Sequence, residues 1–166
     1  MAKTTLNPDG LPAPRGSYSL VNIAQPGRMV FIAGQTASDH EGKVVGVGDP
    51  GAQTRFILGK IQRAVEATDE TMNDVVAMNV FTTDVRHHRD INETRREVLV
   101  SNFPTSTMVQ VVALARPELL LEINASQSFL KKIETIPQSI LDPDRWPINI
   151  RRGENNPDAS TQELKL

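Results

Sequence analysis

The sequence predicts one α+β domain: a mixed sheet with two helices packed on one face. Three observations carry this. Apolar residues follow β-like patterns over 18–24, 28–34, 75–85, 106–114 and 119–126. They recur at helical spacing over about 50–68 and 87–103. Beyond about residue 131 both periods are lost.

The elements follow in order. Residues 1–14 are rich in Pro and Gly without periodicity and read as a loop. "YSLVNIA" and "RMVFIAG" are split by Gln25-Pro26-Gly27, a turn signal that predicts a hairpin. The polar, Gly-rich stretch 35–49 predicts an irregular excursion, with a short strand at Val44–Val47. Asp49 then offers an N-cap and Pro50 a first-turn residue. Ala52, Phe56, Ile57, Ile61, Ala64 and Val65 give the helix that follows one buried face. "VVAMNVFTTDV" predicts a strand. The second helix carries Ile91, Arg95, Val98 and Leu99 on one side and is expected to stop at Pro104. "STMVQVVAL" and "LLLEINAS", separated by "ARPE", predict the last two strands.

Several strands carry apolar residues on both alternating sets, as strands buried on both faces do. Two helices cover only one face, so identical subunits are expected to cover the other. The domain is placed at 15–130. Residues 131–166 form an irregular C-terminal extension with four prolines and the only Trp. It reads either as a tail or as an arm anchored on a neighbouring subunit by Trp146 and Ile148.

Composition removes several classes of function. With 18 basic and 20 acidic side chains the net charge is −2, which offers no basic face for nucleic acid. There is no cysteine, so thiolate catalysis and cysteine-based metal sites are excluded. No apolar run approaches a membrane span, and residues 1–16 lack the centre of a secretory signal. A cytoplasmic location is expected. His87 and His88 are adjacent, point apart, and have no evident third ligand, so no metal site is predicted.

"GSYS" at 16–19, "VFIAGQ" at 30–35, "DVVAMNVFTTD" at 74–84, Asn92, "FPTSTMVQV" at 103–111 and "LLLEINA" at 119–125 arrive in order. Together they resemble the reactive intermediate deaminase family, also called the Rid or YjgF family, over roughly residues 15–130. The resemblance implies a chorismate-mutase-like fold, a homotrimer with clefts between subunits, and no cofactor. It also implies hydrolysis of short-lived enamines and imines to 2-keto acids and ammonia. Some relatives are described instead as endoribonucleases.

By the same resemblance, Glu122 is the carboxylate that steers the attacking water, the one catalytic residue expected. Tyr18, Gly34, Asn92, Ser106 and Met108 are expected to border the substrate. The chain departs from the family pattern at Ser106 and at Asn124. Deaminating members carry Pro-x-Arg-(Ser/Thr), whose arginine anchors a substrate carboxylate; here the run is Pro104-Thr105-Ser106-Thr107. Asn124 stands where the family has its next acidic residue. A hydroxyl cannot fork onto a carboxylate as a guanidinium does. Three readings stay open: the substrate lacks a carboxylate at this point, another base reaches in, or only binding survives. The bases available are Arg28, Arg95, Arg96 and Arg116, with Arg145, Arg151 and Arg152 in the extension. The expected activity is cofactor-free deamination of a small enamine, imine or related unsaturated amine in a catabolic route. The alternatives are a non-catalytic ligand-binding or regulatory trimer and an endoribonuclease.

Overall fold

The computed structural model describes residues 3–24 and 27–129, apart from the Phe129 side chain. Strands β1 (Lys3–Leu6) and β2 (Val21–Ala24) pair antiparallel as a separate two-stranded ribbon. Strands β3 (Arg28–Thr36), β4 (Val75–Thr82), β5 (Thr105–Gln110) and β6 (Leu121–Phe129) form a mixed sheet in the order β3-β6-β4-β5. Only β4 and β5 run parallel. Helix α2 (His88–Leu99) connects them as a crossover, and helix α1 (Pro50–Glu66) precedes β4.

Helix α1 begins as its sequence requires. The Asp49 side chain accepts a hydrogen bond from the Ala52 amide, and Pro50 occupies the first turn, where its missing N–H costs nothing. Ile57, Leu58, Ile61 and Val65 are fully buried at i, i+1, i+4 and i+8. Each such side chain removed from water stabilises the fold by about 1.5–3 kcal/mol. They meet Ile32, Met78, Val80, Leu121, Ile123 and Ala125 of the sheet, together with Ile91 and Leu99 of α2. The sheet residues belong to one alternating set on each strand, so both helices share one face of the sheet.

Among the described residues nothing covers the other face. Phe31 is 78% exposed, and Met29 and Val109 are about half exposed. Phe81 pairs with Val109 and Glu122 on this face, beside Asn79 and Asn124.

Four local expectations differ from the structure. The hairpin expected across 25–27 is not formed: β2 pairs with β1, and β3 pairs with β6 from the other end of the domain. Lys3–Leu6, expected as loop, is a strand. Its Lys3 side chain is 7% exposed and donates to the backbone oxygens of Val75 and Asn102. The strand expected at 44–47 reduces to a single bridge between Ser38 and Val44. Helix α2 ends at Leu99, before Pro104 can act, because Val100 turns to φ +50°. Residues 25–26 and the whole 131–166 extension, with Trp146, Ile148, Arg145, Arg151 and Arg152, lie outside the described residues. Among the described residues no helix is long and apolar enough to cross a membrane.

Candidate functional site

A cavity of about 290 Å³ opens where the segment after Gly16 runs past the paired starts of β4 and β5. Tyr18 and Leu20 line it from that segment, Met78 and Asn79 from β4, and Ser106 and Thr107 from β5. Tyr18 and Ser106, both expected to border the substrate, therefore meet here.

Asn92 fixes this wall without lining it. Its Oδ1 accepts from the Ser17 amide at 3.3 Å and from Ser17 Oγ at 2.8 Å, and its Nδ2 donates to His88 O. The Ser19 amide donates to Pro104 O at 3.0 Å. Residues 17–19 are thus tied to α2 on one side and to the start of β5 on the other. Gly16 is needed for closeness: a Cβ there would press on both Asn92 Oδ1 and the Tyr18 ring at 3.1 Å. Asn92 is 7% exposed and spends its amide inside the protein, so its place is behind Tyr18. Met108 packs partly buried against the core, opposite Val80.

Ser106 pairs with Met78, whose side chain is in the core, so its Oγ points toward the helices. That oxygen is buried and has no hydrogen-bond partner among the described residues.

Glu122 lies elsewhere. It pairs with Phe81, three residues along β4 from Met78. An odd spacing on a strand means opposite faces, so Glu122 and Ser106 leave opposite sides of the sheet about 10 Å apart along β4. Its neighbours Leu121 and Ile123 are buried on the helix side, while Glu122 is half-buried on the open side. The carboxylate is seated directly on Gly34: an added Cβ would overlap Oε1 and crowd Cδ and Cγ. Gly34 falls in a bulge, where Ile32 to Gln35 span three steps against two from Ala125 to Ile123. Lys60 steadies the end of β3 by donating to the backbone oxygens of Thr36 and Ser38, and burial lowers its pKa. Among the described residues Glu122 has no hydrogen-bond or ion-pair partner. A strand carboxylate merely paired with a nearby arginine would look different.

None of the four described arginines weighed as substitutes lines the cavity. Arg28 is exposed at the start of β3. Arg96 donates to Arg15 O, and Arg116 donates to Gly42 O and pairs with Glu118. Arg95 is 1% exposed, and its Nε and Nη2 have no hydrogen-bond partner among the described residues. Burial alone brings its pKa down to about 10. The sequence held a signal for this burial: Arg95 sits four residues from both Ile91 and Leu99, on the apolar stripe. Lys3 carried no comparable signal.

Fold and site together define an α+β protein whose candidate groups fall on two separate surfaces of one chain. The sequence profile of the family described as Endoribonuclease L-PSP matches residues 10–127, and the chain belongs to that family, the Rid/YjgF proteins. Solved structures agree. A protein of unknown function of the Rid family from Yersinia pestis, YyfB, is 27% identical with a TM-score of 0.73, over 78% of this chain and 100% of that one. A member of the YjgF family from Mycobacterium tuberculosis is 32% identical with a TM-score of 0.54, over 68% and 87%. RidA from the Antarctic bacterium Psychrobacter is 29% identical with a TM-score of 0.57, over 76% and 99%.

Proposed function

We propose that the protein is a cofactor-free hydrolytic deaminase of small enamines or imines, working as a homotrimer whose clefts join the two surfaces. The observation that carries this is Glu122: a half-buried carboxylate, laid over a glycine, with no partner among the described residues. Such a group is available to handle protons.

The chemistry it suits is water addition to a C=N carbon. Glu122 takes a proton from the water that attacks the protonated imine as the C–O bond forms and the C=N π pair moves to nitrogen, giving a neutral carbinolamine. The carboxylic acid then returns that proton to nitrogen. The C–N bond breaks with its electron pair going to nitrogen, ammonia leaves, and the hydroxyl gives its proton to the Glu122 carboxylate as the carbonyl forms, from which it passes to ammonia or solvent. An enamine enters the same path after protonation at carbon. Tyr18 and the Gly34 bulge shape the pocket, and Ser106 offers a neutral contact.

The trimer rests on the uncovered sheet face. Exposed Phe31, Met29 and Val109 form an apolar surface that identical copies would bury. Completing the cleft from two copies also brings one chain's Tyr18–Ser106 wall to another's Glu122.

The test is ammonia release over a panel of enamines with and without carboxylates. Glu122→Gln is expected to lower turnover by about 10²-fold or more while the fold persists. Equal rates for the two proteins would remove the mechanism.

Two other readings have specific support. The uncharged cavity lining favours a ligand-binding trimer without catalysis; it would leave every enamine decaying at its uncatalysed rate. The family's description favours RNA cleavage. The net charge of −2 and the 4% aromatic content weigh against that reading, since RNA-binding grooves are basic and stack bases. RNA cleavage that follows the purified trimer and disappears in Glu122→Gln would establish it.

A further inference from the structure

Asn79 and Asn124 pair across β4 and β6 on the open side of the sheet, and the proposed deamination gives them no task. Asn124 Oδ1 accepts twice from Asn79, from its backbone N–H at 3.3 Å and from its Nδ2 at 3.1 Å. The first bond fixes the orientation of both amides. A backbone N–H can only donate, so the Asn124 atom it meets is the oxygen, and the Asn79 atom that shares that oxygen is the nitrogen. The atoms left over are then determined. Asn124 Nδ2 and Asn79 Oδ1 have no hydrogen-bond partner among the described residues. Asn79 is exposed and Asn124 half-buried, so the pair offers one free donor and one free acceptor, both uncharged. Glu122 is two residues along β6 from Asn124 and on the same face, about 7 Å away along the strand. Thr107 continues the row on β5, and Asn79 and Thr107 also line the Tyr18 cavity.

The geometry points to a subsite in which Asn124 and Asn79 select a neutral amide edge, a carbonyl oxygen beside an N–H as in a primary carboxamide or a lactam. The ligand carbonyl accepts from Asn124 Nδ2, and the ligand N–H donates to Asn79 Oδ1. A carboxylate is rejected here. It has no proton to give Asn79 Oδ1, and binding it would leave two acceptors facing each other away from water. This deepens the deaminase reading by naming its substrates as enamines or imines that carry an uncharged amide a few bonds from the reacting carbon. It rests on that reading for the substrate's reactive end and not for the amide subsite.

The experiment is calorimetric titration of the full-length protein with levulinamide, levulinate and N,N-dimethyllevulinamide, which share a ketone and differ only in the amide edge. The wild type is expected to bind levulinamide at least about tenfold more tightly than either of the others. Asn124→Asp keeps an oxygen for both Asn79 donors and loses the free donor, so it should fold and lose that preference. In the wild type the Asn124 side-chain N–H resonances should shift as levulinamide is added and stay in place with levulinate. Equal binding of the three, levulinamide binding too weak to measure, an unchanged preference in Asn124→Asp, or unmoved resonances at saturation would overturn the subsite. Should Asn124→Asp fail to fold, the wild-type titrations and resonances decide alone. An amide preference that depends on Asn124 without Glu122-dependent ammonia release would sink the deaminase reading and leave the subsite standing. Glu122-dependent release with no role for Asn124 in binding would do the reverse.

Discussion

Glu122 rests its carboxylate on the Cα of Gly34, in a space that any β-carbon would fill. No positive φ is imposed on Gly34, so its need for glycine comes from this contact. The obstructing atoms are the far end of a flexible side chain. An alanine there displaces the carboxylate before it disturbs the backbone. Gly34→Ala is therefore expected to keep its thermal midpoint within a few degrees while ammonia release falls by about 10²-fold. Calorimetry and the release assay on one preparation separate the two effects; a folded variant with full turnover would mean that the position of Glu122 is immaterial.

Asn92 holds Ser17 through two hydrogen bonds in a buried setting. Asn92→Ala leaves the Ser17 donors without their partner and should cost about 1–3 kcal/mol, read as a lower urea midpoint. Because Tyr18 follows directly, KM should rise more than kcat falls. An unchanged midpoint would show that water replaces the amide freely.

Legibility in the sequence followed the range of the interactions. Helix α1 was readable to within two residues because Asp49, Pro50 and the 3.6-residue stripe are all local. The false hairpin at 25–27 shows the opposite case. Pro26-Gly27 is a valid local turn signal, yet the partner of β3 is β6, about 90 residues away, and no local pattern reveals it. At the site, the resemblance pointed to Glu122, Tyr18 and Ser106, and the missing arginine of β5 was plain in Pro104-Thr105-Ser106-Thr107. The opposite faces taken by Ser106 and Glu122 depend on strand register, which appears only once the pairing is known. Asn92 matched the family, but its use as a latch for Ser17 comes from tertiary packing.

Val100 ends α2 at φ +50° and ψ −54°, a conformation that a β-branched residue adopts only under strain. Its side chain is exposed, so little packing is lost on removing it. Val100→Gly is expected to stabilise the protein by about 0.5–1 kcal/mol in urea titration. A lower midpoint would mean that the extra freedom glycine gives the unfolded chain outweighs the strain relieved at residue 100.

Lys3 gives a pH signature. Burial brings its ammonium down to about 8, with the Asp74 charge opposing the shift. Between pH 8 and the ordinary value of 10.5 the unfolded chain binds a proton that the folded chain has released. This group's contribution to stability therefore rises with pH across that window. Lys3→Met does not titrate, so the wild type should gain on it by about 1–2 kcal/mol between pH 7.5 and 10, after allowance for solvent screening. Parallel stability curves over that range would show that Lys3 keeps its usual affinity for the proton.

Phe31 stands on the open sheet face, mostly in solvent. A charge placed there would have to be desolvated wherever copies meet. If this face joins the copies of the trimer proposed above, Phe31→Asp should convert it to monomers in light scattering, with secondary structure retained by circular dichroism. A trimer that survives the change would put the interface on another surface.

Because Met78 and Phe81 stand an odd number of steps apart on β4, a lone chain keeps Ser106 and Glu122 back to back across its own sheet, and in the proposed trimer each would be one half of a shared cleft. In that assembly dilution would act as an inhibitor. Below the concentration at which copies associate, specific activity should collapse faster than the amount of enzyme does, and an inactive mutant chain supplying one intact half should restore turnover in a mixture.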